Sequence, residues 1–206
     1  MSLFEIQHAV TRHHLSWLRS TATDPAEFRR LIHRLAGCLA YEATRDLRSA
    51  TVEVHTPLTT MTGSQLADRI ALVPIMRAGL GMVEPVLEFI PDAVVWHLGI
   101  YRDEQTATPV EYYCRIPDTA PVDVALILDP MLATGGSARA AISVLKARGI
   151  RQVKILSVIA AQPGIQALQA EHPDVAIITC AVDPELNSHS FIVPGLGDAG
   201  DRQFKT

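Results

Sequence analysis

The stretch Ile127-Leu128-Asp129-Pro130-Met131-Leu132-Ala133-Thr134-Gly135-Gly136-Ser137 holds the densest set of groups able to do chemistry in this chain. An apolar run ends in a carboxylate, and a short loop then closes in Thr-Gly-Gly-Ser where a helical pattern begins. Glycines let the main chain approach a ligand closely. Consecutive N–H groups and the positive end of a helix attract an anion. Thr134 and Ser137 add hydroxyl donors, and Asp129 can accept hydrogen bonds from two sugar hydroxyls. The combination suits a ribose 5-phosphate. A plain glycine turn capped by Ser137 would account for the glycines but not for the strand and carboxylate before them. No Lys follows the glycines, so this is not the GxxxxGK[ST] nucleotide loop, and it does not match GxGxxG.

Two further places carry candidate groups. Ile70–Val73 runs into Pro74-Ile75-Met76-Arg77-Ala78-Gly79-Leu80-Gly81. Arg77 there is a cation at a strand end among small residues, and its planar fork fits phosphate or diphosphate oxygens. Near the end, Pro194-Gly195-Leu196-Gly197-Asp198-Ala199-Gly200-Asp201 is too rich in glycine for a helix or strand. It suits a rigid loop whose peptide groups meet a ligand closely, with Ile192 as an apolar lid over that ligand. His8, His13 and His14 cluster near the start but lack the carboxylate or cysteine spacing of a metal site, and read as solvated or interface histidines. His189 lies near the glycine-rich tail, where a structural role outweighs proton transfer. Glu104 reads as a solvated charge, and Cys180 as core packing.

The elements that must position these groups follow from the hydrophobic pattern. Asp24 suits a helix N-cap, with Pro25 in the first turn and Glu27 at the third position. Phe28, Leu31, Ile32, Leu35, Ala36, Leu39 and Ala40 then form one apolar stripe. From residue 70, apolar runs at Ile70–Ile75, Val94–Ile100, Val122–Leu128, Val153–Ile159 and Val175–Cys180 alternate with helical stretches near 79–90, 137–148 and 163–171. This alternation predicts right-handed βαβ units around a parallel sheet covered on both faces. Ligands then bind beyond the carboxyl ends of the strands, where Arg77 and the Asp129 loop both fall. Tyr101–Pro117 is polar and alternates Val110, Tyr112, Cys114 with Glu111, Tyr113, Arg115, which predicts a protruding β-hairpin. Such an excursion serves as a lid or as an arm contacting another subunit.

Composition sets outer bounds. Hydrophobic residues make up 48% and charged residues 19% of 206, which excludes a disordered chain. The formal net charge of −4 opposes bulk nucleic-acid binding. With aromatics at 5%, stacking platforms for single strands are not expected either. Cys38, Cys114 and Cys180 form no CxxC pair, as expected of free thiols in a reducing cytoplasm. No secretory leader and no apolar run of membrane-spanning length is read.

The loop from Asp129 to Ser137 resembles the phosphoribosyl-diphosphate (PRPP) loop of the type I phosphoribosyltransferases. The longer string DPMLATGGS, with VPIMRAGLGM before it, YRDEQTATPVEYY in the arm, PGLGDAGDR near the end and YEATRDL at 41–47, closely resembles the uracil phosphoribosyltransferase family. The resemblance spans most of the chain and keeps the family's motif order. It implies an α/β fold: a parallel sheet flanked by helices, a β-hairpin arm at about 100–117 and a base-binding segment at about 183–206. A helical region over about 1–50 and a core over about 65–182 complete a single domain of 1–206. It implies transfer of phosphoribose from PRPP to uracil, giving UMP and diphosphate, with Mg²⁺ carried on PRPP and no protein metal cage. Asp129, Pro130, Met131, Leu132, Ala133, Thr134, Gly135, Gly136 and Ser137 would hold ribose and 5-phosphate. Arg77 and Arg102 would hold the diphosphate, Arg102 arriving as the arm closes. Ile192, Gly197, Asp198 and Ala199 would form the uracil pocket, with Asp198 also facing PRPP. The catalytic set is then Arg77, Arg102, Asp129 and Asp198. A GTP effector, a homodimer or higher oligomer and a cytoplasmic location are further implications.

Departures from the family pattern fall outside the phosphate motifs. Glu84-Pro85 stands where Asp-Gly is usual, Phe191 where Tyr is common and Lys205 where Gly is usual; Arg34 and His14 are also atypical. Pro85 is expected to bend or shorten its helix. Two alternatives to the uracil reaction are the same chemistry on another base, and a non-catalytic PRPP-binding regulator that senses pyrimidine nucleotides.

Overall fold

The structure is a computed structural model that describes residues 2–102, 109–117 and 121–206. The chain begins with β1 (Leu3–Glu5), α1 (Ala9–Arg19) and α2 (Pro25–Ala43), followed by β2 (Ser49–His55), β3 (Thr60–Leu66) and β4 (Ile70–Pro74). A 3₁₀ turn (Ala78–Met82) leads to α3 (Val83–Phe89), β5 (Val94–Val95), β6 (Leu98–Arg102) and β7 (Pro109–Cys114). Next come β8 (Val124–Leu128), β9 (Met131–Leu132), α4 (Gly136–Ala147), β10 (Gln152–Ser157), β11 (Ile159–Ala161) and α5 (Gln162–Glu171). The last elements are β12 (Ala176–Thr179), β13 (Val182–Asp183), β14 (Glu185–Leu186), β15 (Ile192–Val193) and α6 (Ala199–Phe204).

The main sheet has six strands in the order β1-β12-β10-β8-β4-β5, and every pairing is parallel. Its central strands are buried throughout because successive side chains serve different layers. Ile70 and Leu72 of β4 join Val124, Leu126 and Leu128 of β8 in a core under α2, whose stripe from Phe28 to Ala43 is buried. Ala71, Val73, Ala125 and Ile127 point the other way, against Ala141, Ile142 and Leu145 of α4 and Ile165 and Leu168 of α5.

The α/β expectation and the cap of α2 hold. Asp24 accepts hydrogen bonds from the N–H groups of Ala26 (2.8 Å) and Glu27 (2.9 Å). Several boundaries differ. The run Val94–Ile100 divides into β5, beside β4, and β6, which pairs antiparallel with β7 as the hairpin; the register shifts between Gly99 and Ile100. Residues 103–108, with Glu104, lie outside the described residues. The run Val153–Ile159 divides too: β10 stays in the main sheet, while β11 pairs with β9 and β13 in a small second sheet. The helix near 79–90 begins as a 3₁₀ turn, and α3 restarts at Val83 with Pro85 in its first turn. There the missing N–H of proline would have had no partner in any case, so Pro85 fixes where the helix begins.

The stretch from about 50 to 65, for which the sequence reading offers no element, forms the antiparallel pair β2–β3. The glycine-rich tail also differs from expectation. It is loop only to Asp198, whose carboxylate accepts the Asp201 N–H at 2.9 Å and starts α6.

Candidate active site

The candidate groups gather at the carboxyl ends of β4, β8 and β10. Pro74 of β4 pairs in register with Leu128 of β8, so Arg77 and Asp129 leave neighbouring strands on the same side. The Leu128 carbonyl accepts the Ile75 N–H at 3.0 Å. A β-carbon on Gly79 would stand 2.3 Å from that same oxygen, so only glycine allows this approach. The Met76–Arg77 peptide bond is cis.

The Asp129 loop is held on several sides. Asp129 N–H donates to Leu156 O (3.2 Å), Ile159 N–H to Pro130 O (3.0 Å) and Leu132 N–H to Ser157 Oγ (3.1 Å). Gly164 of α5 packs so tightly on Ala133 that a β-carbon would lie 2.2 Å from its carbonyl oxygen. Gly135 is the N-cap of α4 at φ 76°, a left-handed conformation that favours glycine. Gly136 N–H reaches Thr134 Oγ1 at 3.4 Å, while Thr134, Gly136 and Ser137 remain partly open to solvent. α4, unlike α2 and α6, thus begins without a side-chain cap, and its first N–H groups face a glycine cradle. Asp129 is partly buried, and among the described residues its carboxylate is met only by the Met131 N–H at 3.3 Å. Burial outweighs that contact and pushes its pKa up to about 7.

The third segment comes from the tail. A β-carbon on Gly200 would stand 3.2 Å from Asp198 Oδ1 and 3.6 Å from Arg77 Nη2, so this glycine leaves room for both charges. Asp198 and Gly197 are exposed, and Gly197 adopts φ 79°. Ile192 is placed differently from the apolar lid expected of it. The residue is 4% exposed and its side chain belongs to the core under α2. The reason is the β14–β15 pairing, in which Ile192 sits opposite Leu186 and turns inward. Arg102 pairs through its backbone with Pro109, and its side chain lies outside the description.

Four groups that hold the site give no local sequence signal. Arg19 of α1 makes a bidentate pair with Asp183 (2.8 and 2.7 Å) and donates to Gly195 O (2.7 Å), while Asp183 also accepts the Gly195 N–H at 3.0 Å. Arg202 donates to Leu18, Ser20 and Leu196 carbonyls and stacks 4.3 Å from the Phe28 ring. Gln203, fully buried, donates from Nε2 to Ala78 O and Ala199 O at 3.0 Å each. Each joins segments more than a hundred residues apart, which no periodicity records.

Other candidates resolve simply. His8 caps α1, its Nδ1 accepting the Val10 N–H; the His13 and His14 rings lie 5.5 Å apart, tilted by 59°; His189 is exposed. Cys180 is buried, which pushes its thiol pKa up. Among the described residues no group of three or more His, Cys, Asp or Glu side chains could hold a metal ion, and no helix is long and apolar enough to cross a membrane. A mostly apolar cavity of about 470 Å³ lies at the opposite, amino ends of β4, β5 and β8, lined by Ile70, Val94, Trp96 and Val122; none of the candidate residues touches it.

Known proteins resemble this chain in sequence and in fold. The profile of the uracil phosphoribosyltransferase family matches residues 5–206. A uracil phosphoribosyltransferase of Roseiflexus is 54% identical over 200 residues, covering 97% of this chain and 96% of its own length. A solved structure of an Aquifex aeolicus protein superposes with a TM-score of 0.92 at 35% identity, covering 98% of this chain and 97% of that one. A hypoxanthine phosphoribosyltransferase of Staphylococcus aureus shares the fold at a TM-score of 0.54 and 11% identity, over 88% and 84% of the two chains.

Proposed function

The chain belongs to the uracil phosphoribosyltransferase family, and we propose that it transfers the phosphoribosyl group of PRPP to uracil, forming UMP and diphosphate. The observation that supports this best is the meeting of three distant segments at one sheet end: the Arg77 loop, the Asp129–Ser137 loop and the tail from Gly197 to Gly200. In this reading residues 130–137 grip the 5-phosphate through peptide N–H groups and hydroxyls. Asp129 accepts from the ribose hydroxyls. The peptide groups of Ile192, Gly197, Asp198 and Ala199 meet the uracil edge.

Breaking the C1–diphosphate bond develops positive charge on the ribose and negative charge on the leaving group. No covalent nucleophile is needed; catalysis is positioning and electrostatics. Arg77, joined by Arg102 as the 100–117 arm closes, balances the departing diphosphate, and closure keeps water from C1. Asp198, at the junction of the tail and Arg77, borders both substrates. Mg²⁺ prefers oxygen donors and keeps waters, binding largely through substrate phosphates. The exposed carboxylate of Asp198 beside Arg77 fits an ion that arrives on PRPP. When bound, the ion lowers the charge of the leaving diphosphate.

UMP formation from PRPP, Mg²⁺ and uracil, run beside cytosine, hypoxanthine and orotate, tests the assignment. Turnover of uracil alone is expected; turnover of another base in preference would overturn it. The Roseiflexus relative, named for this reaction, leaves the non-catalytic alternative without support. A GTP effector, a homo-oligomer, a cytoplasmic location and a single domain over 1–206 complete the reading. The same assay with and without GTP, and light scattering, test the first two.

A further inference from the structure

Arg77 is held by two residues to which the site as described gives no part. Its Nη2 donates to Asp201 Oδ1 at 3.1 Å, and its Nη1 donates to Thr206 Oγ1 at 2.9 Å. The Thr206 hydroxyl in turn donates to the same Asp201 oxygen at 3.0 Å, closing a three-membered ring of contacts. Both partners belong to α6 and its exit, and Gln203 on the same helix ties down the Ala78 carbonyl beside Arg77. One short helix therefore fixes both the head of this arginine and the turn that carries it.

The contact is poorly suited to stabilising the fold. The Arg77 and Asp201 side chains are 56% and 48% exposed, and such pairs add little to folding free energy. It is well suited to binding. A free arginine loses rotamer entropy when it grips an anion, and ordering it beforehand removes that cost. A guanidinium has five N–H donors; two are engaged here, leaving others for an incoming ligand.

We propose that Asp201 and Thr206 are positioning residues that hold Arg77 aimed at the diphosphate of PRPP. This rests on the reading that Arg77 binds diphosphate. The test uses purified full-length enzyme and the variants Asp201→Asn, Thr206→Val, Thr206→Ser and Arg77→Ala, with KM for each substrate, kcat and thermal unfolding measured. Thr206→Val is expected to raise the PRPP KM about fivefold, the scale of one lost charge-assisted hydrogen bond, and Asp201→Asn about tenfold. The uracil KM and the unfolding temperature stay unchanged, and Thr206→Ser restores the PRPP KM. In an Arg77→Ala background neither change adds a further increase, because the effect passes through that side chain. Equal increases in both KM values, or effects that persist without Arg77, would overturn the proposal. If Arg77→Ala is crippled while Asp201→Asn and Thr206→Val are silent, the positioning role alone fails. If Arg77→Ala leaves the PRPP KM unchanged, the diphosphate reading fails and the positioning role falls with it.

Discussion

Gly79 lies against the Leu128 carbonyl so closely that no β-carbon fits between them, the distance to one being 2.3 Å. This contact joins the ends of β4 and β8 beyond their last register pair, Pro74 and Leu128. It sets Arg77, two residues before the glycine, relative to Asp129, one residue after the carbonyl. The spacing between the two loops is thus set by main chain against main chain, which cannot relax as a side chain would.

Gly79→Ala should separate the loops. The methyl group meets backbone, so a strand end must move, at a stability cost of about 2 kcal/mol. Misplacing a binding group by a fraction of an ångström weakens its action steeply, and the PRPP KM is expected to rise about tenfold. Gly37→Ala, inside α2 where a β-carbon meets nothing within 4 Å, is the control: the PRPP KM should stay unchanged and stability should rise by about 0.5–1 kcal/mol. Denaturant unfolding and steady-state kinetics on the two variants check this.

With Asp129 meeting the ribose as proposed, PRPP binding should depend on pH. The Asp129 pKa is pushed up to about 7 by burial, whereas ribose hydroxyls donate to the ionised carboxylate and favour it. Binding therefore releases a proton below pH 7, and affinity for PRPP should rise about tenfold from pH 6 to pH 8. Asp129→Asn should remove this component and leave only the titration of PRPP itself. The sign for folding is opposite. The native state keeps a proton that the unfolded chain loses above its ordinary value of 3.8, so this group's contribution is full below that value and is lost as pH rises toward 7. Calorimetry in buffers of different ionisation enthalpy measures the proton count directly.

What could be read from the sequence follows what is local. The strands β4 and β8 are continuous apolar runs, β10 and β12 are largely apolar with Lys154 interrupting β10, and Asp24 announces α2 through its own side chain. Motifs also marked the three segments that the fold gathers at one end of the sheet. The pair β2–β3 is not legible from burial contrast because nearly all of its residues on both faces are exposed. β1 is three exposed residues whose reason to exist is the neighbouring edge of β12. The run through Ser157 looked like one strand, but Ser157 turns its hydroxyl onto Ile159 O and Leu132 N–H, and the chain changes sheet there. Arg19, Arg202 and Gln203 look like ordinary surface polar residues until tertiary structure supplies partners from the other end of the chain.

Arg19→Ala should destabilise the fold and loosen the tail. Asp183 is 4% exposed, and losing its bidentate partner leaves a buried carboxylate with, among the described residues, only the Gly195 N–H. Breaking one side of such a pair costs about 3 kcal/mol. The Gly195 turn precedes the proposed uracil segment, so the uracil KM should rise more than the PRPP KM. Replacing both partners with apolar residues, Arg19→Met with Asp183→Leu, should recover most of the folding loss. A uracil KM that stays at the wild-type value in a folded Arg19→Ala enzyme would show that this anchor does not reach the base segment.

Lys205→Gly should stabilise the chain. Lys205 ends α6 at φ 60° and ψ 40°, with its N–H on Asp201 O at 2.8 Å. A left-handed residue with a β-carbon is strained by about 1 kcal/mol, while glycine gives back about half of that in unfolded-chain entropy. The net gain of about 0.5 kcal/mol corresponds to a melting temperature about 1–2 °C higher in a chain of this size. Lys205→Ala keeps the β-carbon and the strain, so it should give no gain. A fall in melting temperature for Lys205→Gly would mean that the lysine side chain contributes more than its backbone costs. Because Lys205 lies between Asp201 and Thr206, glycine there also frees the link that carries the Thr206 hydroxyl toward Arg77. The more stable variant should therefore show an equal or slightly higher PRPP KM, so that stability and PRPP affinity separate at this one position.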